Sequence, residues 1–201
     1  MIAGSLLIFY GALTGSYKAN IKRSLLLGGI FFSMAGDFMM MFVGHSDAFM
    51  KIGVLLYLIV IFLYTTVFTI DALKIKPLDH YWYQLAFAVL ILVFGVEFYI
   101  INYPDFGIFR MVILIFNVGL VLMGMMAAFR SINKDMRSYI VVLVGSLCFI
   151  LSYALLAIDH FVLKIQTSSF LILTTYMIAQ YMIVNGMMRE FLKQLVPDQK
   201  N

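Results

Sequence analysis

Asp37 is the residue best placed to do chemistry in this chain. It stands in Phe31-Phe32-Ser33-Met34-Ala35-Gly36-Asp37-Phe38-Met39-Met40, an apolar setting where an ionisable side chain costs about 2.5 to 3.5 kcal/mol on insertion scales. A carboxyl in a low-dielectric cavity resists charging, which suits it to giving or taking a proton near neutral pH. The same carboxyl could instead be structural, hydrogen-bonded to a neighbouring helix.

Other polar side chains interrupt apolar runs at related depths. Counted from the expected outer end of each run, Tyr57 and Tyr153 stand five residues in, Asp37 six, Tyr176 eight, Asn117 nine, and Tyr64 and Gln180 twelve. At 1.5 Å per residue they fill a band roughly 8 to 18 Å below the outer surface. Convergence on one cavity would satisfy these groups where lipid offers no water. Alternatively, each could tie its own helix to a neighbour.

Remaining polar residues carry less chemistry. Glu97 lies four residues from an outer end and suits an interfacial or interhelical partner. Asp159 and His160 follow a run at its outer mouth, as a solvated loop pair or a headgroup contact. His45 and His80 fall in loops without metal-ligand spacing, and the methionines at 39–41, 123, 125 and 126 suit adaptable packing better than copper binding. No metal or other cofactor is expected. Gly11 and Gly15 form a Gly-x-x-x-Gly step that permits close helix approach. The single cysteine, Cys148, can form no internal disulfide and reads as a small buried hydrophobe.

The elements that must position these groups are membrane helices. Of 201 residues, 64% are hydrophobic and 12% charged, more apolar surface than one soluble core of this length can hide. A hydrocarbon layer about 30 Å thick needs roughly 20 apolar residues. Seven runs of about that length occur, at 2–17, 24–43, 52–70, 81–101, 108–129, 139–158 and 168–188. They predict an all-α, polytopic transmembrane bundle forming one integral domain. The loops between runs are too short to fold on their own. Gly29 with Gly36-Asp37 in the second run is echoed by Gly145 with Ser152-Tyr153 in the sixth, as a parallel duplication would produce.

Alternating sides put eleven of the fourteen Lys and Arg on one face, among them Lys18, Lys22, Arg23, Lys74, Lys76, Arg130, Lys134 and Arg137. The opposite face keeps Lys51, Arg110 and Lys164. The positive-inside rule then places the N-terminus outside and the C-terminus in the cytoplasm, in the inner membrane if the source is bacterial. The net charge of +4 thus reads as an orientation signal, and no nucleic-acid partner is expected. No phosphate-binding glycine loop, nucleophile elbow or zinc-protease motif is present.

The ordered polar set resembles the YhhN-like lysoplasmalogenases. Phe31 to Asp37 is similar to the family's Leu-Phe-Ser-Leu-x-Gly-Asp pattern. Gly53, Tyr57 and Tyr64 follow a Gly-x-x-x-aromatic segment ending in Tyr, and Met123 falls where a late Met follows an aromatic. Gly145, Phe149, Ser152 and Phe161 follow Gly-x-x-x-Phe-x-x-Ser-Asp, while Tyr176, Ala179, Gln180, Ile183 and Gly186 follow Tyr-x-x-Ala-Gln-x-x-Ile-x-x-Gly. The resemblance spans residues 24–188. It implies an eight-helix fold here without its first helix, and hydrolysis of the vinyl ether of lysoplasmalogens to a fatty aldehyde and a glycerophospho-base. Two departures stand out: Tyr153 replaces the family's second Asp, and Ile61 stands where a histidine is common.

The leading expectation is therefore a lysoplasmalogenase-like membrane hydrolase that takes a single-chain lysophospholipid from surrounding membrane lipids. Asp37 would be the general acid, Tyr153 could hydrogen-bond it, and Asn117, Tyr176, Gln180, Tyr57, Tyr64 and Ser152 would line the polar end. Two alternatives are a non-catalytic relative that binds or senses lipid, and a small transporter. The transporter ranks last, because the runs show neither a mid-depth proline nor a dense set of buried charges. Headgroup, chain length and oligomeric state leave no mark in the sequence.

Overall fold

A computed structural model describes residues 21–73, 81–130 and 136–195. The first expected run, 2–17, lies outside the described residues, as do Gly11, Gly15, Lys18, Lys74, Lys76, His80, Lys134 and Lys200. The described residues form six α-helices and no strand: α1 Ile21–Met40, α2 Asp47–Ala72, α3 Tyr81–Asn102, α4 Arg110–Ala128, α5 Met136–Ala157 and α6 Ser168–Leu195. By length and composition α2 to α6 can each cross a membrane. α1 is more polar, with Lys22, Arg23 and Asp37 among its 20 residues.

Local chemistry explains the boundaries. Ser46 caps α2, its hydroxyl accepting from the Ala48 amide at 3.3 Å. Beyond α3 the chain tightens into a 3₁₀ segment, Tyr103–Phe109, with Pro104 in its first turn. Gly107 has φ of +49°, a region that side-chain-bearing residues avoid, and the chain turns there into α4. α5 runs on as a π turn, Ile158–Val162. Asp159 and His160, expected in a loop, therefore sit on a continued helix.

Hydroxyls within the apolar helices bond inward. Thr65, Thr66, Thr69, Ser146 and Thr175 each donate to the carbonyl four residues earlier, at 2.7 to 2.9 Å. Each donor is thus satisfied without water, as lipid demands.

In a bilayer, lipid tails match the side chains in apolarity, so close packing must hold helices together. The two most extensive pairings are α1 with α2 and α5 with α6. Glycine makes both possible. A Cβ on Gly29 would collide with the Tyr64 ring, and one on Gly145 would lie 2.9 Å from Met182 Cβ and 3.1 Å from the Ile183 amide nitrogen. These are the two helices of the sequence echo, each seated on the helix that follows it. α4 packs against α2, α3 and α5, and α3 is the least covered of the crossing helices.

The far end of the bundle carries a feature that the sequence reading assigned otherwise. Lys22 and Arg130, expected as loop cations that set orientation, are buried. Lys22 Nζ contacts Asp71 Oδ1 at 2.5 Å and Glu190 Oε1 at 3.0 Å. Arg130 contacts Asp71 Oδ2 through Nε at 3.3 Å and Glu190 Oε2 through Nη2 at 2.8 Å. The four side chains close a neutral ring joining α1, α2, α6 and the end of α4, all at most 4% exposed. It corrects the expectation that buried charges are sparse. The physical reason is pairing: each charge meets two of opposite sign, offsetting the desolvation that makes a lone one costly.

Removing one member should leave uncompensated charge. Asp71→Ala is expected to cost about 3–5 kcal/mol, while replacing all four residues by Met and Leu recovers most of that loss. Thermal unfolding in detergent measures both, and a midpoint unchanged by Asp71→Ala would refute the ring as a stabilising contact.

Candidate active site

At the opposite end, where α1 ends and α2 begins, lies a cavity of about 440 Å³ walled by α2, α3, α4, α5 and the π turn, with Met40 from the end of α1. Small-molecule sites commonly occupy 300–1,000 Å³. Its surface is overwhelmingly apolar, with Phe94, Phe98, Phe116 and Leu120 among its walls. Tyr57, Asn117 and Tyr153 supply the deeper polar groups, Lys51 and His160 those nearer the helix ends.

Asp37 does not line this cavity. It is fully buried on α1, and Tyr57 stands between, lining the cavity while its hydroxyl donates to Asp37 Oδ1 at 2.7 Å. α1 and α2 fit this arrangement locally. A Cβ on Gly36 would meet Tyr57 Cε1 at 3.0 Å, so Gly36 and Gly29, seven residues apart, seat Tyr57 and Tyr64, also seven apart. Two turns of helix separate each pair, keeping both on one face.

Behind Tyr57 a hydrogen-bonded chain runs from α2 through α6 to α1. Tyr64 donates to Gln180 Oε1 at 2.6 Å, and Gln180 Nε2 donates to Ser33 Oγ at 2.8 Å. Ser33 is hydrogen-bonded to the Tyr176 hydroxyl, which also reaches Asp37. Gln180 fixes the direction: Ser33 accepts from it and so can give its own proton to Tyr176, whose proton then faces Asp37. The carboxyl thus closes a chain with two tyrosines on it.

The expected polar residues therefore divide into two groups. Tyr57, Asn117 and Tyr153 line the cavity, whereas Tyr64, Tyr176 and Gln180 support Asp37 from behind and do not line it. Asn117 also donates to the Gly95 carbonyl at 2.9 Å, tying α4 to α3. Ser152 turns away from the cavity and donates to the Ile172 carbonyl of α6 at 2.9 Å.

Tyr153 makes no hydrogen bond to Asp37. Its ring is wedged between Phe116 and Phe149, with centroids at 4.8 and 5.0 Å, and packs edge-on to Tyr57 at 5.6 Å. Its buried hydroxyl has no hydrogen-bond partner among the described residues. A buried polar atom left unpaired is destabilising, and in a cavity wall it offers a ready contact to whatever enters.

At the mouth, Asp159 is occupied. It accepts from the Ile165 amide at 2.9 Å and pairs with Lys164 at 3.2 Å, closing the turn into α6. Glu97 and His45 are exposed. No cluster of three or more metal-ligating side chains occurs among the described residues.

Residues 1–187 match the sequence model of the YhhN family. This chain belongs to that family. No curated protein and no solved structure matches it. YhhN proteins are the family of lysoplasmalogenases, and the match extends through the first apolar run. Sequence reasoning on this YhhN chain missed Ser33 as the link between Gln180 and Tyr176. Its signal was the spacing: four residues before Asp37, on the same helical face.

The glycine seat should be sensitive. Gly29→Ala drives a methyl into the Tyr64 ring and is expected to lower stability by about 1–3 kcal/mol. An unfolding midpoint in detergent equal to wild type would contradict this packing.

Proposed function

We propose that this YhhN-family chain hydrolyses the vinyl ether of a single-chain glycerophospholipid held in the cavity, with Asp37 supplying the proton through Tyr57. The observation that carries the reading is the double position of Tyr57, lining the cavity and hydrogen-bonded to the buried carboxyl at 2.7 Å.

The chemistry follows from the bond. A vinyl ether is protonated on the carbon beta to oxygen, leaving an oxocarbenium ion at the carbon bonded to oxygen. For the proton to pass, Asp37 takes up a proton and the Tyr57 O–H turns from the carboxyl toward that carbon; Tyr57 then gives its proton as Asp37 replaces it, so no tyrosinate need persist. Asp37 is then a carboxylate close behind Tyr57 and opposes the new positive charge. Water adds to the cation and returns a proton, and the hemiacetal collapses to an aldehyde and a free glycerol hydroxyl. Tyr153, where the family resemblance places an Asp, offers its unpartnered hydroxyl to the ether oxygen or to that water.

The sequence's excess of Lys and Arg on the side of its apolar runs where Lys22 and Arg130 fall supports a cavity opening toward the outer half of the membrane, with the C-terminus cytoplasmic. The apolar walls suit an alkenyl chain.

A lipid-binding relative without turnover is the second reading. It is favoured by the single carboxyl at the site, Tyr153 standing where a second would be. Purified protein given a lysoplasmalogen should release aldehyde. Asp37→Asn should abolish that release, and Tyr57→Phe should reduce it by about 10²–10⁴-fold. Wild-type protein stabilised by the lipid but releasing no aldehyde would overturn the hydrolase reading, and turnover restored by Tyr153→Asp would mark a site that has lost its second acid.

A further inference from the structure

The cavity's polar groups lie at two levels. On α2, Lys51 precedes Tyr57 by six residues, a rise of about 9 Å. On the facing wall, His160 follows Tyr153 by seven residues, about 10 Å along the helix. Both walls thus set a cationic or imidazole group at the mouth and a phenol one and a half to two turns deeper.

Lys51 is the one lysine, arginine or carboxylate side chain among the described residues lining the cavity. It forms no ion pair with a described residue, whereas the nearby Lys164 is paired with Asp159. An ammonium at the entrance to an otherwise apolar hole is complementary to one kind of ligand: an anionic head on a single apolar chain.

We infer that Lys51, with His160 across the mouth, binds the phosphate of a single-chain phospholipid and so sets its register in the cavity. The inference rests on the cavity being the lipid site proposed above. In a glycerophospholipid, the path from phosphorus through glycerol to the far vinyl carbon is seven bonds, about 9 Å when extended. That is the same scale as the axial offset between the Lys51 and Tyr57 positions on α2. With phosphate at the mouth, a lipid of this reach can set its ether bond at the level of Tyr57 and Tyr153, with its chain in the apolar space bounded by Phe94, Phe116 and Leu120. Lys51 and His160 are positioning residues: they touch the head, not the bond that breaks.

The test is a binding measurement that needs no turnover. Full-length protein in nanodiscs is titrated with a saturated ether lysophosphatidic acid, 1-hexadecylglycerol-3-phosphate, and with 1-hexadecylglycerol, which lacks the phosphate. Wild type is expected to prefer the phosphate-bearing lipid by roughly fivefold, the scale of one exposed ion pair. Lys51→Gln should remove that preference while phosphate-free binding is retained, and His160→Gln should reduce it. Inorganic phosphate should neither bind measurably nor compete.

Equal weakening of both lipids by Lys51→Gln, or an intact preference in that variant, would overturn the inference. Competition by free phosphate would overturn the requirement for a chain. Binding of neither lipid by wild type would defeat the cavity as a lipid site altogether. Preference for phosphate without aldehyde release from a lysoplasmalogen would leave this inference standing and sink the hydrolase reading alone.

Discussion

Lipid offers no hydrogen bonds, and the structure is organised by how its buried polar groups satisfy one another. The ring of Lys22, Asp71, Arg130 and Glu190 is the strongest instance. Its members come from four places in the chain, up to 168 residues apart, and none can be solvated where it stands. The ring therefore specifies which helices meet at that end. α1, α2 and α6 meet again through side chains at the second polar cluster, higher in the bundle.

That seam has a repeat. Tyr57, Tyr64 and Asp71 follow one another at seven-residue steps on α2, as Lys22, Gly29 and Gly36 do on α1. Glycine opposite each tyrosine brings the backbones close, and the phenols reach across to Asp37 and Gln180. Between cluster and ring lies a dry layer containing Leu26, Ile30, Val67, Phe68, Ile183 and Met187, all essentially unexposed. The polar path from the cavity ends at Tyr64. Asp37 consequently contacts the cavity wall through Tyr57, with the apolar layer between it and the ring end.

Much of the fold was legible in the sequence, because a bilayer imposes a length on every apolar run. The expected run 81–101 corresponds to α3 Tyr81–Asn102, and 52–70 falls inside α2 Asp47–Ala72. Ends were less legible: α6 continues to Leu195 because Glu190 is helical and buried in the ring, not free beyond the membrane. The ring was misread for a related reason. Charges at run ends look like loop charges, and only the three-dimensional arrangement pairs Lys22 with Glu190. The depth count groups polar residues that lie in one region of the structure but does not say which side of Tyr57 each occupies. That distinction depends on helix rotation, which rise alone leaves open. Ser152 shows the same limit, sharing a depth with Tyr153 but facing α6.

Family membership, cavity and buried carboxyl meet in one proposal: an ether lipid lies in the cavity with its ether group between Tyr57 and Tyr153. A structure determined with a saturated ether lysophospholipid bound tests that claim most directly. The account predicts the chain among Phe94, Phe116 and Leu120 and the ether oxygen within hydrogen-bonding distance of the Tyr57 or Tyr153 hydroxyl. A lipid bound elsewhere on the bundle, or one in the cavity with its ether remote from both tyrosines, would contradict it.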